Sequence, residues 1–153
     1  MADKKKFLEI NNLVVEYYSD GKTVHAVNGV SLQLEHGRTL GLVGETGAGK
    51  TTIAKSILRI LPDVGARIKS GEIDIDGQDV LKLSEHDMRK IRGNVCSMIF
   101  QDPMTALNPV QTVGAQIAEV VALHKEGIDV SPEERAQQVL EIVGIPRERY
   151  AEY

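Results

Sequence analysis

The stretch Gly44-Glu-Thr-Gly-Ala-Gly-Lys50-Thr51 decides the fold, because it fits G-x-x-x-x-G-K-[ST], the pattern of a phosphate-binding loop. The apolar run Leu40–Val43 precedes this loop and predicts a buried strand. Residues 52–60 follow it and place their isoleucines on one helical face. Strand, glycine-rich turn and helix in this order predict an α/β fold with a phosphate site.

The residue types of the loop suit the binding of a polyphosphate. Gly44, Gly47 and Gly49 carry no Cβ and tolerate positive φ, so the backbone can fold around a phosphate with its N–H groups inward. Lys50 adds a mobile charge for the β- and γ-phosphates, and the Thr51 hydroxyl is a candidate Mg²⁺ ligand.

Composition narrows the class of protein and of partner. The chain has 153 residues, of which 42% are hydrophobic and 26% charged, with a net charge of −4. These values are typical of a soluble globular domain, and the mild acidity argues against nucleic acid as the main partner. The single cysteine, Cys96, excludes an internal disulfide. No apolar run approaches the roughly 18 residues of a membrane span, so work at a membrane would need recruitment by a partner.

Hydrophobic periodicity divides the chain into three parts: antiparallel β over about 1–37, the phosphate-binding core over 38–103, and a helical part over 104–153. The pattern predicts strands at 7–17, 23–27, 30–35 and 95–100, and one more that the turn Asp76-Gly77 closes. It predicts a helix from the loop to Pro62, a helix capped by Ser84 and a helix over about 112–124. A last helix, capped by Ser131, is predicted to bury Ala136, Val139, Leu140 and Val143.

Other residues outside the loop are candidates for ligand contact. Gln101 follows the predicted strand 95–100, and ligands gather at the carboxyl ends of strands in open α/β sheets. An ordinary polar turn residue explains Gln101 equally well. Tyr17 or Tyr18 could stack on a base, although core packing is the commoner use of a lone tyrosine.

Several segments resemble the ATP-binding subunits of ABC transporters, and specifically the importers of peptides and nickel. Leu42–Thr52 is similar to the Walker A segment of that family. Phe100–Pro109, Phe-Gln-Asp-Pro-Met-Thr-Ala-Leu-Asn-Pro, is similar to the Q-loop of the peptide and nickel subgroup. Leu8–Tyr17 and Ala26–Leu32 are similar to the opening strands. The resemblance covers essentially the whole chain.

The resemblance implies a fold, two cofactors and a set of binding residues. The fold is a P-loop NTPase core with an N-terminal antiparallel β subdomain and the start of a helical subdomain. The cofactors are ATP and Mg²⁺, with Tyr17 as the aromatic residue that stacks on adenine, and Thr51 and Gln101 as metal ligands. The implied nucleotide-binding residues are Tyr17, Gly44, Glu45, Thr46, Gly47, Ala48, Gly49, Lys50, Thr51, Thr52 and Gln101.

It also implies partners and a location. Two ATP-binding subunits would sandwich two ATP molecules head to tail, and transmembrane permease subunits would contact Gln101 and the segment after it. The complex would lie on the cytoplasmic, inner face of the cell membrane and power the uptake of peptides or of a similar solute such as nickel.

Three motifs of the family are absent from the sequence. After Gln101 there is no signature motif, no run of four apolar residues followed by Asp-Glu (the Walker B segment), and no switch histidine. We therefore expect residues 1–153 to be the N-terminal part of one nucleotide-binding domain, with an incomplete sheet, no catalytic residue, no ATP hydrolysis and a tendency to self-associate. A free-standing, non-hydrolytic nucleotide-binding or regulatory module is the alternative. A small-molecule kinase would need clustered lid arginines, and the arginines of this chain are scattered.

Overall fold

The computed structural model describes residues 6–102, 106–124, 127 and 129–153. The chain separates into two compact units, Met1–Ser97 and Met98–Tyr153. The first unit is built on an antiparallel sheet, and the second is helical. The division into 1–37, 38–103 and 104–153 stays a prediction.

The sheet of the first unit has four strands in the order β2-β1-β3-β4, and every neighbouring pair is antiparallel. Its strands are β1 Lys6–Ser19, β2 Lys22–Glu35, β3 Ala66–Ile75 and β4 Gln78–Asp79. Two-residue turns at Asp20-Gly21 and Asp76-Gly77 join β1 to β2 and β3 to β4. All four of these turn residues have positive φ, as tight hairpins require. The sequence predicts both turns, the first as Ser19-Asp20-Gly21-Lys22.

Two helices pack with this sheet, α1 Lys50–Ile57 and α2 Glu85–Ile91. α2 begins after Ser84, whose Oγ accepts a hydrogen bond from the Asp87 amide at 3.1 Å, as predicted. Strands and helices together enclose one apolar core, whose buried members are Ile10, Leu13, Val15, Val27, Ile53, Ile73, Ile75, Val80, Met88 and Ile91. The core thus holds the helix that follows the phosphate-binding loop against the sheet.

The second unit contains α3 Val113–Leu123, α4 Pro132–Ile142 and a 3₁₀ helix Arg147–Ala151. The helices begin where the sequence predicts, because the hydroxyls of Thr112 and Ser131 accept hydrogen bonds from amides in the first turns. A Cβ at Gly114 would lie 2.2 Å from the Tyr150 ring, so this glycine leaves room for the ring to pack on α3.

Two predicted strands are not formed. Residues 38–45 have no regular secondary structure, and Val43, expected to be buried, is 96% exposed. Residues 97–100 are likewise irregular, and Ile99 is 97% exposed. An apolar run becomes a strand only when a neighbour takes up its backbone hydrogen bonds. Among the described residues no strand pairs with either run.

Two further predictions were wrong in detail. The helix after the loop ends at Ile57 rather than at Pro62. Arg59 takes a positive φ of 52°, and the Ile60 amide donates to the Lys55 carbonyl at 3.0 Å, which ends the helix before Pro62. Val143, the residue after α4, is 66% exposed rather than buried. β1 and β2 are each one continuous strand, whereas the sequence predicted two strands, 23–27 and 30–35, in the region of β2. The sequence also did not predict the first half of β3.

None of the helices in the described part of the chain has the length and apolar character that crossing a membrane requires.

The exposed run Leu40–Val43 generates a prediction about association. Leu40, Leu42 and Val43 expose 47%, 44% and 96% of their surface, and contiguous apolar surface is usually covered by a partner. We expect the 153-residue chain to self-associate through this run, so that Val43→Ser lowers the mass measured by light scattering. Val64→Ser is the matched control, because Val64 is 91% exposed but lies outside the run. A monodisperse wild-type monomer would contradict the prediction.

Candidate nucleotide-binding site

The phosphate-binding loop, Gly44–Thr51, leads into the first turn of α1 in the first unit. Gly47 and Gly49 have φ of 84° and 85°, in the left-handed region that favours glycine. Gly44 does not adopt positive φ, so only two of the three loop glycines use the freedom expected of them. Glu45, Thr46 and Ala48 are exposed, which leaves the loop open to a ligand.

Lys50 places its ammonium group inside the loop. Its Nζ donates to the carbonyl oxygens of Gly44 and Glu45, each at 2.6 Å. The first turn of α1 contains no acidic residue and no side-chain cap, so nothing there competes with an anion for the helix amides. A lysine charge and the positive end of a helix at one loop make a site for phosphate oxygens.

Gly49 is the point at which the loop approaches the sheet most closely. It is buried, and a Cβ at this position would lie 2.3 Å from the Ala26 carbonyl oxygen in β2. No residue other than glycine fits without moving the backbone. The contact seats the end of the loop, and with it the start of α1, against β2.

Tyr17 and Thr52, both predicted as binding residues, are brought together. The Tyr17 hydroxyl lies 3.5 Å from Thr52 Oγ1, at the edge of hydrogen-bond distance. Tyr17 is half-buried and pairs with Val24 of β2 and Ala66 of β3. Its side chain therefore points from the sheet toward the first turns of α1. Thr51, the candidate Mg²⁺ ligand, is exposed.

Gln101 lies in the second unit and is exposed. Its predicted contact with nucleotide and Mg²⁺ stays a prediction. The predicted Q-loop, Phe100–Pro109, includes Pro103, Met104 and Thr105, which lie outside the described residues.

The sequence interpretation missed a buried carboxylate beside Tyr17. Glu16 is only 2% exposed, and its oxygens meet Lys69 Nζ at 2.6 Å, His25 Nδ1 at 3.2 Å and an Arg67 nitrogen at 3.3 Å. The Tyr18 hydroxyl also donates to it. We call Glu16 and these four partners the Glu16 cluster. An acid between Val15 and Tyr17 in an alternating strand was the available signal, but its partners depend on strand register, which the sequence alone does not give.

The cluster keeps the Glu16 carboxylate ionised. The hydrogen bond from Lys69 is the largest cause, followed by that from Tyr18, and together with Arg67 they lower the pKa of Glu16 from 4.5 to about 2 despite its burial. The same contact with Glu16 raises the pKa of Tyr18 above its usual value of 10.0. At neutral pH, Glu16 is a buried charge that these side chains satisfy.

Comparison with known proteins identifies the family. A model of the ABC transporter family matches residues 27–152, which is more than half of the chain. The chain belongs to the ABC transporter family.

Similar proteins include peptide transport components. The oligopeptide transport ATP-binding protein OppD of Bacillus subtilis is 41% identical over 141 residues, a match that covers 92% of this chain and 39% of OppD. The dipeptide transport ATP-binding protein DppD of the same species is 44% identical over 142 residues, covering 93% of this chain and 42% of DppD. This chain therefore spans about two fifths of the length of these relatives.

A solved structure supports the fold. The dimeric ATP-binding cassette MJ0796, in a post-hydrolysis state bound to ADP and Pi, matches with a TM-score of 0.75 and 21% identity. The match covers 95% of this chain and 60% of that one. The predicted fold class, an ABC ATPase core with an antiparallel β part, a helical part and an incomplete sheet, is confirmed.

The contact between Gly49 and β2 predicts a difference between two glycine substitutions. Gly47→Ala and Gly49→Ala both place a side chain at positive φ, which costs about 1–2 kcal/mol. Only at Gly49 does the new Cβ also collide, because nothing lies within 4 Å of the position at Gly47. We expect Gly49→Ala to lower the free energy of unfolding in urea by roughly a further 1–3 kcal/mol. Equal losses in the two variants would show that the collision is relieved at no cost.

The lowered pKa of Glu16 predicts how stability depends on pH. A carboxyl group whose pKa is lower in the folded chain than in the unfolded chain stabilises the fold at pH values above its unfolded pKa. This stabilisation is lost as the pH falls toward the folded pKa. The free energy of unfolding should therefore fall from about pH 4.5 to about pH 2 more steeply in the wild type than in Glu16→Gln. Asp87, with a pKa of about 2, titrates in both proteins and cancels.

Glu9→Gln is the control for this pH series, because Glu9 lies on the same strand but pairs with Lys6 at a more exposed position. Its profile should stay closer to that of the wild type. Parallel profiles for the wild type and Glu16→Gln would mean that Glu16 has the same pKa in the folded and unfolded chains.

Proposed function

We propose that the chain forms part of the ATP-binding subunit of an ABC importer and binds Mg-ATP at the phosphate-binding loop. The placement of Lys50 carries this proposal, since its ammonium group sits between two loop carbonyls at the N-terminus of a helix whose first turn is free of acids. The loop amides and Lys50 hold the β- and γ-phosphates, and Tyr17 supplies an aromatic face for adenine. Thr51 and Gln101 would serve as Mg²⁺ ligands, as the resemblance of their segments to Walker A and the Q-loop implies.

Peptide uptake is the transport reaction that we propose the ATP site serves. The names of the two Bacillus subtilis relatives, which refer to oligopeptide and dipeptide transport, support peptides as the solute. Nickel rests only on the resemblance of Phe100–Pro109 to the subgroup that includes nickel importers. The partners are transmembrane permease subunits and a second ATP-binding subunit, at the inner face of the cell membrane. The dimeric state of MJ0796 supports the second subunit.

Residues 1–153 are proposed to bind ATP without hydrolysing it. Hydrolysis requires a residue that activates or positions the attacking water. The sequence after Gln101 contains no apolar run ending in Asp-Glu that would supply it. Turnover in the importer would then require a carboxylate from outside residues 1–153.

A calorimetric titration of the chain with Mg-ATP tests the site by measuring the Kd. Lys50→Ala should raise the Kd for ATP at least about tenfold, because it removes a charge-assisted contact with the phosphates. Lys55→Ala is the matched control, since it removes the same charge from the last turn of the same helix, and should leave Kd within about twofold.

Phosphate release is measured on the same samples. We expect no release above that of Lys50→Ala. Equal ATP binding by wild type and Lys50→Ala would contradict the proposed site, whereas turnover that disappears in Lys50→Ala would contradict only the proposed lack of hydrolysis.

A further inference from the structure

The Glu16 cluster ties the central strand of the sheet to both of its neighbours. In the register of the sheet, Glu16 of β1 lies opposite His25 of β2 and opposite Arg67 of β3. Side chains from both partner strands reach the same carboxylate, at 3.2 Å and 3.3 Å respectively. Lys69, two residues along β3 from Arg67, approaches it more closely, at 2.6 Å.

Strand pairing is irregular beside Glu16. The pairing of β1 with β2 is irregular between Val15 and Glu16, and its pairing with β3 is irregular between Val14 and Val15. A slip of one residue sends each side chain to the opposite face of the sheet, which the apolar side chains of β1 already disfavour. At Glu16 that slip would carry an ionised carboxylate to the face of Val15, which is fully buried in the apolar core. A buried charge without partners is strongly unfavourable, so the cluster holds the strand in one register.

Tyr17 takes its position from this register. Alternation along a strand points Tyr17 to the face opposite Glu16 and Tyr18. On that face its hydroxyl lies 3.5 Å from Thr52 of α1, one residue beyond the phosphate-binding loop. The side chains that hold the Glu16 carboxylate all come from β1, β2 and β3, and none of them belongs to the loop.

We propose that Glu16 is a positioning residue for base recognition: by fixing the register of β1 it presents the ring of Tyr17 to the nucleobase, and so sets the preference of the site for a nucleotide over bare triphosphate. This inference rests on the proposed function, because it requires ATP to bind at the loop with its base on Tyr17. Phosphate affinity is set by Lys50 and the loop, and does not depend on Glu16.

The test compares the Kd of Mg-ATP with that of Mg²⁺-bound inorganic triphosphate, both by calorimetry on the 153-residue chain. In the wild type, ATP should bind more tightly than triphosphate. In Glu16→Gln the Kd for ATP should rise at least about threefold, a part of the effect expected for losing one base–aromatic stack, while the Kd for triphosphate stays within about twofold. Glu9→Gln, the same change on the same strand, should alter neither value.

A double substitution separates positioning from general destabilisation. If Glu16 acts through Tyr17, then Glu16→Gln should cause no further loss of ATP preference in a Tyr17→Ala background. Circular dichroism establishes that each variant is folded. Should Glu16→Gln fail to fold, Lys69→Gln replaces it, because Lys69 is 51% exposed and its loss weakens the same cluster. It should lower the ATP preference in the same direction.

Three results would overturn the inference. An unchanged preference in Glu16→Gln, or an equal weakening of both ligands, would leave Glu16 with a structural role only. Equal affinity of the wild type for ATP and triphosphate would show that no base is recognised at Tyr17. If Lys50→Ala leaves the binding of both ligands unchanged, the proposed function and this inference both fail. The Lys50→Ala variant distinguishes this outcome from the other two.

Discussion

Backbone pairing along both edges of β1 is the constraint on which the first unit depends. Because β1 lies between β2 and β3, its side chains alternate between the two faces of the sheet. On one face, Leu13 and Val15 are fully buried in the apolar core, and Tyr17 continues the row toward α1. On the other face, Glu16 is buried among cations and a tyrosine hydroxyl. Three successive residues of β1 thus have three different roles: Val15 packs in the core, Glu16 holds the charged cluster, and Tyr17 is the candidate for stacking on a base.

The phosphate-binding loop is attached to this sheet by an approach that only glycine allows. Gly49 lies against the Ala26 carbonyl of β2, and α1 begins at the next residue. The same contact therefore fixes the position of the loop and directs the positive N-terminal end of α1 into it. Lys50 follows Gly49 directly, and its ammonium group donates to the Gly44 and Glu45 carbonyls within the loop, where a bound phosphate is proposed to lie.

The features that the sequence predicted correctly are local. The loop, the caps at Ser84 and Ser131, the start of a helix near Thr112, and the turn at Asp76-Gly77 each depend on a few consecutive residues, and each is present. The two missing strands are failures of pairing over long distances in the chain. Leu40–Val43 and residues 95–100 have strand-like composition, yet no described strand takes up their hydrogen bonds. The Glu16 cluster was missed for the same reason, because Glu16 and Lys69 are 53 residues apart and meet only through register.

This distinction between local and distant contacts extends to the proposed site itself. Phosphate recognition draws on consecutive residues, Gly44 to Thr52, whose geometry follows from a short motif and one glycine contact. The proposed base recognition draws on Tyr17, whose placement needs three strands in register and a carboxylate satisfied by side chains from all of them. A substitution far from the loop can therefore alter which ligand is preferred while leaving the phosphate contacts intact. Sequence motifs alone predict that a polyphosphate binds, whereas the proposed selectivity for a nucleotide depends on the assembled sheet.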